Sequence, residues 1–370
     1  MLNFYSGHSS AVNSSRAIKE CLEQVNEKTD GNISLVIINT TLGHNITQLL
    51  AGAQEMCPKA EIVGCTGSGV VETGWVSEAM RAVSVMAISG EEFSVTSKTE
   101  LNSENSDIIS QECAKELMAK RSDINMILVF GPGLDVNGNG IISGIESIFG
   151  KNVPIFGALA GFGGKEPRTP IFHGEEILDN SIVMVGFADP DLKLIQGAHH
   201  GLLPQDDYKF TVTKTQGVRV DELDGKPAWP YILNSLGLPT ETIPIEMIAI
   251  SGIGYSLDKD DQIEYDNSHI LRAPLTLSED GKSFYMQADV PENTVFVSCQ
   301  RNEGHIFNGL DRLTERLNKS LEGYTPVAVF HADCMARGRM SNNEVKKDEI
   351  IAKMQQPFMK DKNLPWLGVY

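Results

Sequence analysis

The sequence predicts an α/β to α+β protein of two domains, with mixed, mostly buried sheets flanked by helices. Three observations carry that expectation. A helix–strand–helix–strand course runs twice in the first half of the chain, and near-constant spacing between the copies marks an internal duplication. The strand runs are continuously apolar and β-rich, as strands covered on both faces are. The length, 370 residues, exceeds what one hydrophobic core usually supports.

The first copy opens with Ser14–Asn26, where Ala17, Cys21, Leu22 and Val25 recur at helical spacing behind a serine cap. An apolar strand (Ser34–Thr41), a helical stretch (His44–Met56) and a strand ending in a glycine-rich turn (Glu61–Val71) follow, and Ala82–Ser89 closes the unit. The second copy repeats this with a helix over Ser106–Ala119, carrying Ile109, Cys113 and Leu117 on one side. It continues with a strand over Asn125–Gly133, a helix over Gly140–Phe149, a second glycine turn in PIFGALAGFGG (Pro154–Gly164) and a closing strand, Ser181–Ala188. Gly64 and Gly157 are 93 residues apart, and Leu35 and Ile127 are 92. The repeat therefore covers about 14–90 and 106–189. Paired glycine turns at matching strand ends point to a site between the halves.

Leu192–Pro204 reads as strand and turn, and Tyr208–Gly217 alternates like a half-exposed strand. Val218–Gly237 is a junction with a turn and a short helix, which places a domain boundary near residue 220 and gives domains 1–220 and 221–370. In the second domain Pro244–Gly254, Leu271–Leu277, Lys282–Val290 and Asn293–Gln300 read as strands at short spacing. A helix (Ile306–Leu321), a strand (Pro326–Gly338), a helix (Asn343–Met354) and a strand (Leu364–Tyr370) then form the same course a third time. It stops about where the earlier copies enter their glycine turns, so a truncated or incomplete chain is expected.

Composition narrows the function classes. Apolar content of 41% and charged content of 22% are ordinary for a soluble globular protein. The balance of 31 basic against 49 acidic residues, a net charge of −18, argues against nucleic-acid binding and reads as solubility. No stretch approaches the roughly 20 apolar residues that span a bilayer, and the first residues do not form a secretory signal. The six cysteines are scattered without a CxxC pair, which predicts reduced thiols and a cytoplasmic protein rather than a disulfide framework or zinc ribbon.

Five motifs in order resemble the FIST family, small-ligand sensory domains of prokaryotic signal-transduction proteins that also occur attached to F-box proteins in eukaryotes. Its amino-terminal half is matched by the strand with the GCTGSGVV turn and by PIFGALAG. Its carboxy-terminal half is matched by TVTKTQGVRVDELDGKPAW, VFHADCMARG and LPWLGVY. The resemblance implies a FIST N-terminal domain over 1–220 and a FIST C-terminal domain over 221–370. Many members continue past the LGVY-like strand into a glycine–glutamate turn and one more strand, which this sequence does not reach.

The Gly64-Cys65-Thr66-Gly67-Ser68-Gly69 run leaves backbone amides open and allows positive φ, so it suits a carboxylate or other anion. It is neither a phosphate loop, since no Lys-Ser/Thr follows, nor a dinucleotide fingerprint. The alternative is a close-packed turn. Gly157, Ala158 and Gly161 offer a matching wall from the second copy. Cys334 and Arg337 sit at the end of a buried-looking strand, where open sheets bind ligands. Arg337 is a natural bidentate partner for a carboxylate, or else a structural ion pair. Cys334 is a candidate nucleophile or a small buried hydrophobe; His331, three residues away along a strand, points to the opposite face.

The resemblance also implies an alternative: some family members look like haem-binding nitric-oxide sensors, and His199 or His200 would then supply the axial ligand. His8, His44, His173, His269 and His305 show no metal spacing, and Trp75, Trp229 and Trp366 read as core or pocket aromatics. The resulting expectation is a sensor rather than an enzyme, without a cofactor. It holds an amino acid or related carboxylate between its domains on the glycine turns, Cys334 and Arg337, and passes the signal to a separate partner such as a histidine kinase or cyclase. Behind it stand the haem sensor and, third, a cysteine-dependent enzyme using Cys334.

Overall fold

A computed structural model describes residues 1–29, 32–161, 168–338, 344–359 and 364–370. Phe162–Gly164 of the second glycine run and Asn343, where the last helix is expected to begin, lie outside the described residues. The fold is mixed α/β in two compact units. Unit one comprises Met1–Leu134, Ile141–Leu194 and Gly323–Tyr370, and unit two comprises Asp135–Gly140 and Ile195–Glu322. This division differs from a cut near residue 220: the chain leaves unit one near Leu194, and the third course returns to it.

In unit one the first course is β1 (Asn3–Ser9), α1 (Ser14–Asn26), β2 (Ile33–Thr41), α2 (Ile46–Met56), β3 (Glu61–Gly67), the hairpin β4 (Val70–Glu72) and β5 (Trp75–Ser77), and β6 (Val83–Ser89). The second is β7 (Phe93–Lys98), α3 (Ser106–Lys120), β8 (Met126–Gly131), α4 (Gly138–Phe149), β9 (Ile155–Leu159), the hairpin β10 (Ile171–His173) and β11 (Glu176–Leu178), and β12 (Ile182–Phe187). The two courses match element for element. α2 starts two residues after His44 because Asn45 caps it, its Oδ1 accepting the Gln48 N–H at 3.1 Å.

Unit two follows with β13 (Leu202–Gln216), β14 (Arg219–Leu223), β15 (Lys226–Pro227), α5 (Ala228–Ser235), α6 (Pro244–Ile250), β16 (Ser251–Ser256), α7 (Lys259–Tyr265), β17 (His269–Arg272), β18 (Pro274–Leu277), β19 (Phe284–Met286), β20 (Val295–Arg301) and α8 (Glu303–Ser320). Its antiparallel sheet runs β17-β16-β20-β13-β14-β19-β18, with β15 on β14. Phe210, Val212, Trp229, Ile232, Phe284 and Phe296 belong to its core. The third course then re-enters unit one as β21 (Val329–Ala332), α9 (Glu344–Gln355) and β22 (Trp366–Val369).

Several sequence expectations need correction in unit two and at its entry. Pro244–Gly254 is not one strand: its first seven residues are α6. Pro244 supplies the preset first helical residue, and the Glu246 carboxylate accepts the Ile243 N–H at 3.1 Å, so local capping outweighs an apolar run that periodicity cannot assign. Leu192–Gly201 forms no strand, and β13 begins only at Leu202. Leu271–Leu277 breaks at Ala273 into β17 and β18, which lie at opposite ends of the sheet.

Unit one has three parallel βαβ pairs, β2 with β3, β8 with β9 and β21 with β22. Alternation along β2 sends Val36 and Ile38 toward α1 and α2, where Ile18, Leu22, Leu49 and Ala53 cover them. Leu35 and Ile37 point the other way, into a core shared with Leu128, Phe130, Val183 and Val185 of the second sheet. The sheets of the two courses thus stack through one apolar layer, with helices outside.

Register shows how the copies superpose. Gly64 lies opposite Ile38, Gly157 opposite Val129, and Gly368 opposite His331. By this register Val36, not Leu35, is the counterpart of Ile127, so the sequence match is displaced by one residue. Gly64 has φ of 153° and Gly157 of 149°. A Cβ on Gly64 would stand 1.9 Å from the Ile38 carbonyl oxygen, and one on Gly157 at 1.9 Å from that of Val129. Both glycines let two backbones approach closely. Gly64→Ala should therefore destabilise unit one by about 2–4 kcal/mol, read as a lower unfolding midpoint in urea by far-ultraviolet circular dichroism.

Candidate functional site

The carboxyl ends of β3, β21 and β22 meet within unit one. Past the β4–β22 ladder, Tyr370 N–H donates to the Gly69 carbonyl at 3.1 Å and Gly69 N–H donates to that of Tyr370 at 2.9 Å. The Gly67-Ser68-Gly69 turn is thereby pinned on the end of β22. A Cβ on Gly67 would lie 2.3 Å from Val369 Cγ2, and one on Gly69 would run into the Tyr370 ring. From the other side Gly161 N–H donates to the Thr66 carbonyl at 2.8 Å, and Thr66 Oγ1 donates to the Gly161 carbonyl at 3.0 Å. The two glycine turns that the sequence singles out are in direct contact.

A buried charge cluster adjoins this turn. Asp333, just past β21, is anchored by its N–H to the Val369 carbonyl at 3.0 Å. Its carboxylate accepts from Lys347 Nζ of α9 at 2.6 Å and from Cys334 N–H at 2.8 Å, with Arg337 Nε at 3.2 Å and His331 Nε2 at 3.8 Å. Lys347 is only 2% exposed, and its ammonium lies 3.9 Å from the centroid of the Tyr370 ring. Tyr370 in turn donates from its hydroxyl to Glu78 Oε1 at 2.9 Å. Two cations and two carboxylates thus follow one another around the strand ends.

The titration shifts fit this arrangement. Burial by itself would raise the Asp333 pKa, but Arg337, Lys347 and His331 together hold it well below the usual carboxylate range. Burial lowers His331 from 6.5 to about 4, so its ring is neutral at pH 7. Burial, and then Glu78, push the Tyr370 hydroxyl far up, which keeps it a donor.

The other candidate residues lie elsewhere. Gly64 and Cys65 are inside the sheet; the Cys65 thiol contacts Asn39 Oδ1 at 3.7 Å, and burial raises its pKa. Gly157 and Ala158 are on β9, of which Gly157 is exposed. Cys334 is exposed at the cluster, yet crowding by protein around its sulphur raises the thiol pKa. His331 turns away from it to receive Trp366 Nε1 at 3.4 Å. Lys347 and Glu78 carry no sequence signal, because a lysine on a helix is by default solvated; Asp333 and Tyr370 lie in the VFHADCMARG and LPWLGVY motifs, whose local pattern gives neither of them a role.

The histidine pair belongs to unit two. His200 Nδ1 accepts the Leu202 N–H at 3.0 Å and its Nε2 donates to the His269 carbonyl at 2.9 Å, so neither nitrogen keeps a lone pair for haem iron. The His199 ring fills the space over Gly309 of α8, where a Cβ would approach it to 1.9 Å. His200 therefore does not fit the role of a haem ligand. Trp229 is in the core of unit two, Trp366 is buried in unit one, and Trp75 stacks on His8 at 4.3 Å. Among the described residues no group of three His, Cys, Asp or Glu is arranged to hold a metal, and no helix is long and apolar enough to cross a membrane.

Lys347→Met removes one of the cations facing a buried carboxylate and should cost about 3–5 kcal/mol, measured by urea unfolding. Acid should act on the same cluster. A folded pKa below the unfolded one means stability is complete above pH 6.5 and declines toward pH 4 as the unfolded histidine takes up a proton. His44, also lowered to about 4 by burial, shares that arm. His331→Gln should therefore flatten, without abolishing, the fall in unfolding midpoint between pH 6.5 and 4; Asp333 adds a second loss below about pH 3.9.

Two family models match the chain. The FIST N domain covers residues 34–226 and the FIST C domain residues 233–370, together nearly the whole length. Comparison with curated proteins found no match. FIST domains are associated with small-ligand sensing in signal transduction. With both models in order along one polypeptide, this chain belongs to the FIST family.

Proposed function

We propose that the chain is a cytoplasmic sensory protein that binds an amino acid or related carboxylate at the carboxyl ends of β3 and β22 and signals to a separate partner such as a histidine kinase or cyclase. The observation that carries this reading is the junction of the Gly67-Ser68-Gly69 turn with Gly161 on one side and the Arg337–Asp333–Lys347 cluster on the other. Strand carboxyl ends in open sheets are a common place for ligands. Asp333 holds the buried Arg337 in place, and a guanidinium that is already positioned costs less to order when it grips a carboxylate. All six cysteines are free thiols, which agrees with a reducing compartment. A ligand that favours one of two conformations shifts their populations, and that shift is what a partner reads.

A thiol enzyme is not favoured, since Cys334 has a raised pKa and His331 faces Trp366. His200, engaged through both ring nitrogens, does not support the haem reading.

Thermal-shift screening of amino acids and small carboxylates checks the proposal. At a hundred times Kd a genuine ligand adds about 2.7 kcal/mol to stability, and Arg337→Lys, which keeps the charge but loses the planar fork, should weaken it at least tenfold by calorimetry. Lack of stabilisation by every carboxylate tried, or unchanged affinity in Arg337→Lys, would count against it.

A further inference from the structure

At the rim of the apolar layer between the two stacked sheets of unit one, polar side chains from three strands meet in a fixed order. Alternation sends Val95 of β7, Val63 of β3 and Ile171 of β10 into that layer. Ser97, Glu61 and His173, each two residues away on its own strand, turn toward the same face. His173 lies opposite Val63, which makes Glu61 its diagonal neighbour. Ser97 reaches the histidine from the other sheet. Its Oγ lies 2.8 Å from His173 Nδ1, and Glu61 Oε2 lies 3.5 Å from His173 Nε2.

The proton positions follow from the carboxylate. Its hydrogen bond with His173 holds Glu61 below the ordinary glutamate range, so Glu61 only accepts, and in the neutral ring the proton sits on Nε2. Nδ1 is then an acceptor, and the Ser97 hydroxyl donates to it. This is the order of a hydroxyl nucleophile, a base within hydrogen-bond reach and a carboxylate that orients the base. The main chain adds a donor. Ala188 N–H donates to the Glu92 carbonyl at 2.8 Å, so by antiparallel alternation Phe93, Val95 and Ser97 turn their backbone groups away from β12. The Val95 carbonyl accordingly accepts from Lys120 Nζ at 2.7 Å. The nucleophile's own N–H is one of the groups that can stabilise a tetrahedral oxyanion.

The matching place in the other hairpin has a different order. Glu72 follows the residue opposite Gly368 as His173 follows the one opposite Gly64. Glu72 accepts from Ser6 Oγ at 2.6 Å and lies 3.0 Å from His8 Nδ1, so serine and histidine there converge on a carboxylate.

We infer that Ser97, His173 and Glu61 form a serine-nucleophile site that hydrolyses small carboxylic esters. Ser97 Oγ attacks the ester carbonyl carbon as its proton passes to His173 Nδ1. The C–O bond to the leaving alcohol breaks, and His173 gives that proton to the alcohol. Water then attacks the acyl-serine, its proton passing through His173 to Ser97 Oγ as the acid is released. Ser97 and His173 are the catalytic residues, and Glu61 is a positioning residue. His173 lines a cleft of about 630 Å³ with Gln54, Gly174, Glu175 and Glu176. Two carboxylates there favour neutral or cationic esters over anionic ones. The inference is independent of the carboxylate reading, which uses none of these residues.

p-Nitrophenyl acetate and an alkyl fluorophosphonate are the probes, used on the full chain. A stoichiometric burst of nitrophenol followed by slower turnover is expected. The fluorophosphonate should abolish it, losing fluoride as phosphorus bonds Ser97 Oγ, and tandem mass spectrometry should read the adduct on Ser97. Ser97→Ala and His173→Gln should each lower kcat by about a hundredfold or more. The Glu61 side chain is 54% exposed, so Glu61→Gln should fold; it should lower kcat while leaving KM unchanged, a split that a merely structural contact would not give. Should Ser97→Ala unfold, the adduct on the wild-type chain decides by itself. No burst, an adduct that spares Ser97, or hydrolysis unchanged in folded Ser97→Ala would each overturn the proposal.

Discussion

Neither of the hairpins β4–β5 and β10–β11 covers the strand that precedes it in sequence: the one after β3 lies on β22, and the one after β9 lies on β3. A strand with one side open carries a row of unpaired N–H and C=O groups, and burying such groups without partners costs more than most side-chain contacts contribute. Here the second course covers the edge of the first, and the first covers the edge of the third. Most else in the unit depends on that exchange. It fixes the register of Gly64 and Gly368, it holds β22 against residues nearly 300 positions earlier, and it returns Gly323–Tyr370 to the amino-terminal unit.

The candidate site is a product of the same exchange. Because β4 pairs with β22, the turn before β4 must lie against Val369 and Tyr370, and only glycines at 67 and 69 leave room for them. Asp333 enters through its bond to Val369, and α9, the crossover between β21 and β22, brings Lys347 to it. Buried ion pairs of this kind contribute little net stability, since desolvation offsets attraction, but they penalise any arrangement that separates the partners. Such a cluster therefore sets position more than it adds strength, and position is what a binding site requires.

Much of the fold was legible because it is local. Ser14–Asn26 shows helical spacing within its own thirteen residues and forms that helix, although Asn13 rather than Ser14 caps it, its Oδ1 accepting the Arg16 N–H at 2.9 Å. The repeat was visible because both copies keep the same order of apolar runs and glycines. Where local signals compete, reading by pattern failed: Pro244–Ile250 is apolar enough for a strand, yet proline and Glu246 start a helix. Nothing marked Lys347, since its burial depends on a carboxylate fourteen residues earlier that reaches it through tertiary packing.

By itself the sequence determined the family, the mixed α/β class, the repeated courses and the glycines that the close strand pairs demand, because each is written in spacing along a continuous stretch of chain. Tertiary structure alone decided which edge each hairpin covers, that the glycine turns at Gly67 and Gly161 touch, and that Arg337 and Lys347 share Asp333. Those contacts join segments of up to nearly 300 residues' separation, and no local periodicity encodes which of several equivalent strand edges a hairpin will find.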